Sequence, residues 1–187
     1  MVHYKFSKIS DFSDADLERI YNLLSKEQRL YIDSLNITKK RQSLSVRSLL
    51  QTVLLEIDAD TTISSLCSKN SGKPYLCDSD LYISLTHSRD YVGCAVSNRT
   101  VGIDIEKIRE FKTDVASRVC SKDELEYLNQ NNLSDFFTLW TLKESYIKAA
   151  DCKTSKMNEL SFIKDGKLYK AELTGKIENY VWSIITL

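Results

Sequence analysis

VGIDIEKIRE, residues 101–110, alternates Val101, Ile103 and Ile105 with Gly102, Asp104 and Glu106. A period of two is the mark of a strand whose faces differ, here one apolar face and one carrying a glycine and two carboxylates. Side chains two apart on one face lie ~6.6 to 6.8 Å apart. Asp104 and Glu106 are therefore placed to converge on one hard cation, which takes oxygen ligands. The same alternation also describes a half-buried strand with its acids in water. Near the middle of a 187-residue chain, this strand divides two stretches of similar element order.

Upstream, SDADLERIYNLL after Phe12 predicts a helix capped by Ser13, with acids in its first turn. A second helix begins at Ser25, where Ser25 and Gln28 have the spacing of a capping box. A third runs over about residues 38–56, with Leu44, Leu50 and Leu54 on its apolar stripe and Arg41 and Arg47 off it. Three helices thus precede any convincing strand. KNSGKPY then reads as a turn, and YISLTHSRDYVGCAVSNRTVGIDIE as three short strands with turns near Ser88 and Asn98.

Downstream, SKDELEYLNQ and SDFFTLWTLKESYIKAA read as helices with Ser121 and Ser134 as N-caps. SFIKDGKLYKAEL is a hairpin signal centred on Asp165-Gly166, and YVWSIITL is a last strand. Helix followed by roughly three strands, twice, predicts two related α+β lobes, residues 1–100 and 101–187, without a residue-level repeat. The single proline leaves no rigid linker between them.

Composition narrows the chemistry. Lys+Arg and Asp+Glu are both 26, so no global charge favours nucleic acid or an anionic membrane. No run approaches the ~20 apolar residues of a membrane span, and MVHYKFSKIS lacks a signal-peptide apolar region. The expectation is a soluble, cytoplasmic protein. Cys67, Cys77, Cys94, Cys120 and Cys152 form no C-x-x-C pair, and their odd number points to free, mostly buried thiols. With His3 and His87 as the only histidines, a zinc site of closely spaced Cys and His ligands is not expected, and a bound metal would take oxygen donors.

In FFTLWTLKESYIKAAD, Phe136, Leu139, Trp140, Leu142, Tyr146, Ile147, Ala149 and Ala150 cover most of a helix circumference. Thr138, Thr141, Ser145 and Lys148 fill the remaining sector, while Lys143 falls inside the apolar arc and Glu144 towards its edge. Buried charges need partners. A metal shared with Asp104 and Glu106 would supply one for Glu144, and an anionic ligand one for Lys148; the plainer alternative is a Glu144–Lys148 surface pair beside a structural Lys143. Lys73 in SGKPY, His87 in THSRDY, and Arg41, Arg47 and Ser48 on the third helix suggest an anion site, although each alone also fits an ordinary turn, a structural histidine or a solvated helix face.

Their order is informative. SGKPY (71–75), YISLTHSRDYVGCAVS (82–97), VGIDIEK (101–107) and FFTLWTLKESYIKAA (136–150) resemble, motif by motif, the surfactin-type 4′-phosphopantetheinyl transferases. The resemblance runs from about Arg41 to Asp151, and G-x-D-x-E followed by W-x-x-K-E-x-x-x-K is its specific part. It implies two similar α+β lobes in pseudo-twofold relation, each a helix packed on a small, mostly antiparallel sheet, with the active site in the cleft between them.

The implied reaction transfers the phosphopantetheine arm of coenzyme A, the co-substrate, to a serine of an apo acyl or peptidyl carrier protein and releases adenosine 3′,5′-bisphosphate. By the resemblance Asp104, Glu106 and Glu144 hold Mg2+, Glu144 serves as base and Lys148 neutralises phosphate charge. Thr86, His87 and Ser88 would hold phosphates, Gly72, Lys73 and Pro74 would lie along the nucleotide, and Ser48 would sit near the 3′-phosphate. Of the N-terminal basic cluster that helps hold that phosphate in relatives, Lys26 and Arg29 remain.

KIREFKTDVASRVCSKDEL corresponds to the carrier-receiving region, mixing Phe111, Val115 and Val119 with Lys107, Lys112 and Arg118; it also reads as an ordinary amphipathic helix. Thr86, Tyr91 and Ser145 stand where serine, tryptophan and alanine are frequent. A monomer acting without nucleic acid or membrane is implied. Two rival readings use the same residues: a metal-dependent coenzyme A diphosphate hydrolase, and a non-catalytic coenzyme A-binding homologue.

Overall fold

The computed structural model describes residues 1–110, 113–128, 133–152, 154–168, 171 and 173–187. The chain forms two compact units, Met1–Val101 and Gly102–Leu187. It is α+β, and its sheets are small. Among the described residues no helix is long and apolar enough to cross a membrane.

The first unit opens with a strand, β1 (Val2–Lys8), where sequence analysis expected helices first. Three helices follow, α1 (Asp14–Leu23), α2 (Lys26–Asp33) and α3 (Ile37–Glu56). Next come a short hairpin, β2 (Leu66–Ser68) with β3 (Pro74–Leu76), and the strands β4 (Tyr82–Ser88) and β5 (Tyr91–Ser97). The sheet runs β1-β5-β4, antiparallel throughout, with Tyr4 opposite Ala95 and Thr86 opposite Gly93. β1 escaped notice because its partner strand lies some ninety residues away in sequence, and its own alternation is interrupted by polar and charged side chains.

β5 is buried at every position, and α3 packs against it. Leu50, Leu54, Ile83, Val92 and Val96 form the core of this unit. The caps are local and agree with the sequence at Ser13, whose side chain accepts from Asp16 N at 3.1 Å while Asp16 returns a bond to Ser13. At Ser25 only half the expected box forms. Ser25 Oγ accepts from Gln28 N, but the Gln28 side chain turns inward and donates to the carbonyls of Ile63 and Leu66. A buried amide gains more by meeting buried carbonyls than by bonding back at an exposed helix start.

The second unit repeats the order of the first. β6 (Val101–Lys107) leads into α4 (Thr113–Val119), α5 (Lys122–Leu128) and α6 (Leu133–Ala150). A hairpin, β7 (Ile163–Lys164) with β8 (Lys167–Leu168), then precedes β9 (Leu173–Ile177) and β10 (Tyr180–Thr186). Its sheet runs β6-β10-β9. In both units, then, the last strand lies between the first and the penultimate one, after three helices and a hairpin. The expected sequence of helix then strands lacked the opening strand of the first half and β9 of the second. Asp165 and Gly166 make the tight turn of the hairpin with φ of 52° and 69°.

α6 begins at Leu133, one residue before the expected cap, so Ser134 is helical and its carbonyl accepts from Thr138 Oγ1. The larger departure concerns its polar sector. Thr141 and Ser145 are fully buried, bonded to Ser183 Oγ at 2.9 Å and Ser183 O at 2.8 Å. The hydroxyl stripe faces the sheet rather than solvent because small side chains let a helix and a sheet approach closely. Phe136, Phe137, Leu139 and Ile147 fill the core on the other sides with Val181 and Met157.

Candidate active site

Gly102 determines how β6 and α6 meet. A Cβ at this position would stand 1.8 Å from Ser145 O and 2.7 Å from Ala149 N, so only glycine permits the contact. That approach brings the next outward residue of β6, Asp104, to the end of α6. Lys148 Nζ donates to Asp104 Oδ1 at 2.7 Å and to the Ile103 carbonyl at 3.0 Å. Asp104 is buried at 5% exposure, which rules out the reading of this strand as one with its acids in water.

Glu144 lies one turn before Lys148 and is half-buried. Burial first, and then the charge of Asp104, raise its carboxyl pKa above the ordinary value, while Lys148 pulls it back. Lys148 thus pairs with Asp104, and the charges of both are felt at Glu144. The alternative of an exposed Glu144–Lys148 pair does not describe them. Glu106 stands one strand repeat beyond Asp104 and approaches Arg109, with Oε2 3.9 Å from Nη1. Among the described residues no three His, Cys, Asp or Glu side chains are gathered as a metal cage. Two of the three expected ligands share a field, then, and the third is turned towards Arg109.

Lys143 has a different task. Its side chain and that of Glu124 are fully buried and paired at 2.7 Å, and Lys143 Nζ also donates to Met157 O and Leu160 O. Glu124 in turn accepts from Ser121 N at 2.7 Å and Phe162 N at 2.9 Å. Every strong group here is met, which is the condition for a buried ion pair to be tolerated. Glu124 is not among the expected residues, although Ser121-x-x-Glu124 carries the capping-box spacing that marks it.

The expected anion-binding residues lie in the first unit. On β4 the pleat buries Thr86 and Ser88 and leaves His87 exposed, so the three side chains do not face one way. Gly72 sits at φ 86° in an exposed turn, followed by the half-buried Lys73 and Pro74. Ser48 is 7% exposed within α3, and Arg29 is half-buried on α2. Arg41 is committed to its own unit, bonding Asp14 Oδ1 at 2.6 Å and Phe12 O at 2.7 Å. Arg47 bonds Ser43 O and lies over the Tyr31 ring, and burial lowers its pKa. A cavity lined by Val2, His3, Tyr4, Val53, Glu56 and Ile57 contains none of the expected site residues.

Two further expectations are corrected. Cys67 and Cys77 are bonded to one another across the β2–β3 hairpin, leaving Cys94, Cys120 and Cys152 free. An odd count excludes complete pairing but not one pair. In the stretch expected to receive a carrier, Val119 is 6% exposed and Val115 packs against the same core, so these two side chains hold α4 down. Arg118 remains exposed, and Lys107 Nζ lies 5.5 Å from the Tyr180 ring centre. Phe111 and Lys112 lie outside the described residues.

Comparison with known proteins agrees with this strand and helix. Residues 100–183, which hold this strand and helix, match the model of the 4′-phosphopantetheinyl transferase superfamily. Among curated relatives it is 34% identical over 159 residues to the 4′-phosphopantetheinyl transferase gsp of Aneurinibacillus migulanus, covering 80% of this chain and 65% of that one. It is 38% identical over 82 residues to the 4′-phosphopantetheinyl transferase Sfp of Bacillus subtilis, covering 41% of this chain and 37% of the relative. Against the 4′-phosphopantetheinyl transferase HetI of Nostoc the identity is 34%, covering 49% and 44%. The matches thus span from about a third to just under two thirds of the length of these relatives.

Proposed function

We propose that this chain is a 4′-phosphopantetheinyl transferase that moves the phosphopantetheine arm of coenzyme A onto a serine of an apo acyl or peptidyl carrier protein, with magnesium. The observation that carries the reading is the Asp104–Lys148–Glu144 cluster, built where Gly102 lets β6 touch α6. The relatives gsp, Sfp and HetI bear the name of that transferase. The element order shared by the two units supports reading them as two copies of one plan.

The donor set suits a hard divalent cation. Asp104 and Glu144 supply carboxylate oxygens in one field, and Glu106 joins them if its carboxylate leaves Arg109. When bound, magnesium neutralises charge on diphosphate oxygens. The chain's own groups do the rest. Glu144, with its proton affinity raised by burial, is suited to take the proton from the carrier serine as that oxygen attacks phosphorus. Lys148 exchanges Asp104 for the phosphate whose charge grows as the diphosphate bond breaks. Thr86, His87 and Ser88 are assigned to phosphates, Gly72, Lys73 and Pro74 to the nucleotide, and Ser48 and Arg29 to its 3′-phosphate. The pleat of β4 divides this assignment, so His87 and the Thr86–Ser88 pair serve different phosphates or only one of them serves any.

Intact mass of several apo carriers after incubation with the chain, magnesium and coenzyme A tests the reading. A gain of one phosphopantetheine by a carrier, together with adenosine 3′,5′-bisphosphate, is expected. Coenzyme A consumed without a gain of mass would identify a diphosphate hydrolase instead, and binding without consumption a non-catalytic homologue.

A further inference from the structure

We propose that Cys67 and Cys77 are a redox-labile pair whose state sets how firmly the turn before Pro74 presents Lys73 to an anionic ligand. The inference rests on the assignment of Lys73 to the nucleotide end of coenzyme A. Its structural part is independent of that assignment.

The hairpin carrying this turn is short. β2 and β3 contribute three residues each, with Leu66 opposite Leu76, Cys67 opposite Tyr75 and Ser68 opposite Pro74. A two-stranded ribbon of this length has little stability of its own. Cys67 and Cys77 stand at its base with Cα atoms 6.0 Å apart, a separation that a disulfide spans without backbone movement. Beyond them the turn is closed by Lys69 N to Lys73 O and Gly72 N to Lys69 O, each 2.9 Å, with Gly72 at positive φ.

The base is tied to the rest of the unit at several points. Cys77 N donates to Ser65 O at 2.8 Å, and the Gln28 side chain on α2 holds the carbonyls of Ile63 and Leu66. Leu66 and Leu76 reach the core. The disulfide thus clamps the two strands together at an anchored base, behind an exposed turn bearing Lys69, Gly72 and Lys73. α2, which the same amide ties to this base, also carries Arg29, the other cation assigned to the nucleotide.

Solvent reaches this pair and not most of the other thiols. Cys77 is exposed and Cys67 half-exposed. Cys94 and Cys120 are buried, and burial pushes both thiols up to about 12, which leaves almost no thiolate to react. Cys152 is free, so among the described residues Cys67 and Cys77 are the one bonded pair.

The exchange partner is a low-molecular-weight thiol such as glutathione. Its thiolate attacks Cys77 Sγ, the Cys67–Cys77 bond breaks, and Cys67 leaves as thiolate and takes a proton. A second thiolate then attacks the mixed disulfide, Cys77 leaves and is protonated, and the small molecule departs as its disulfide. Two electrons pass from the small thiols to the protein, and the reverse steps close the pair. With the pair open, the two strands below the turn lose their covalent clamp, and a ligand that orders the turn bears more of the conformational cost. We expect coenzyme A to bind about fivefold more weakly to the dithiol form, a factor set by the ordering of one or two residues.

The full chain is equilibrated in buffers of graded reduced and oxidised glutathione, quenched with acid, then unfolded in denaturant, alkylated and weighed. Three alkylated thiols at the oxidised end and five at the reduced end are expected, matching three free cysteines of five in all. Titration calorimetry with coenzyme A, and separately with adenosine 3′,5′-bisphosphate, should give the same ratio between the two forms. Cys67→Ser and Cys77→Ser should each bind like the reduced wild type in either buffer, and the reduced wild type itself serves where a variant folds poorly. Five alkylated thiols at every glutathione ratio would overturn the pair. Equal affinity of the two forms would overturn the switch and leave coenzyme A as the ligand. No binding in either form would overturn coenzyme A as the ligand, and the switch with it, whatever the thiol count.

Discussion

Lys148→Met is the substitution that tests the site most directly. The ammonium it removes stands 2.7 Å from Asp104 Oδ1, with the two side chains 28% and 8% exposed. At an effective dielectric of about 20 the bare attraction at that distance is ~6 kcal/mol. Desolvation of both ions and ordering of the lysine stem offset most of this, and a hydrogen bond to a charged group nets ~1.5 to 3 kcal/mol. Loss of the pair leaves Asp104 buried beside Glu144 without that ammonium, and the thioether that replaces it cannot restore the bond to the Ile103 carbonyl. We expect a loss of ~2 kcal/mol, which for a chain of this size is ~4 to 8 °C in melting temperature. Added magnesium should raise the melting temperature more in Lys148→Met than in the wild type, because the ion meets two carboxylates that no lysine already neutralises. Thermal melts of both proteins with and without magnesium read the difference. A variant that melts within ~1 °C of wild type and gains no more from magnesium would falsify the account of Lys148 as the standing counter-ion of this site.

Three other predictions concern the same unit. The folded chain holds the Glu144 proton more tightly than the unfolded chain, so the stability from this group is present at low pH and is lost as pH rises from the ordinary 4.5 through the raised value. Glu144→Gln should therefore flatten the decline of stability over that window and melt higher at neutral pH, while phosphopantetheine transfer collapses; a steeper decline in urea titrations at several pH values would count against the assignment. Gly102→Ala places a methyl 1.8 Å from Ser145 O and should cost ~2 kcal/mol or more by overpacking, so a melt like wild type would mean the contact is not made. Lys143→Met strands the Glu124 carboxylate at zero exposure and should cost ~3 to 5 kcal/mol, with much of the loss recovered when Glu124→Leu is added; no recovery in the double variant would show that the two groups act separately.

Much of the local structure of this protein can be read from neighbouring residues alone. Ser13 and Asp16, Ser121 and Glu124, and Asp165 and Gly166 act within four positions of one another, and helix starts and hairpin turns follow from them. The alternation in β6 and the crowding of α6 likewise mark a strand and a helix, and the spacing of Asp104, Glu144 and Lys148 on them points to a site. What these residues do depends on contacts the chain makes far from itself. β1 exists because β5 offers it an edge; Gln28 leaves its cap because its buried amide reaches the carbonyls of Ile63 and Leu66. The threonine and serine stripe of α6 looks solvent-facing in a helical projection, but it is the side that meets the sheet, because only small residues allow the close approach at Gly102. The pairings of Lys143 with Glu124, Lys148 with Asp104 and Cys67 with Cys77 come from the same source. Charge and sulfur chemistry depend on distances of a few ångströms, and packing decides which groups come within them.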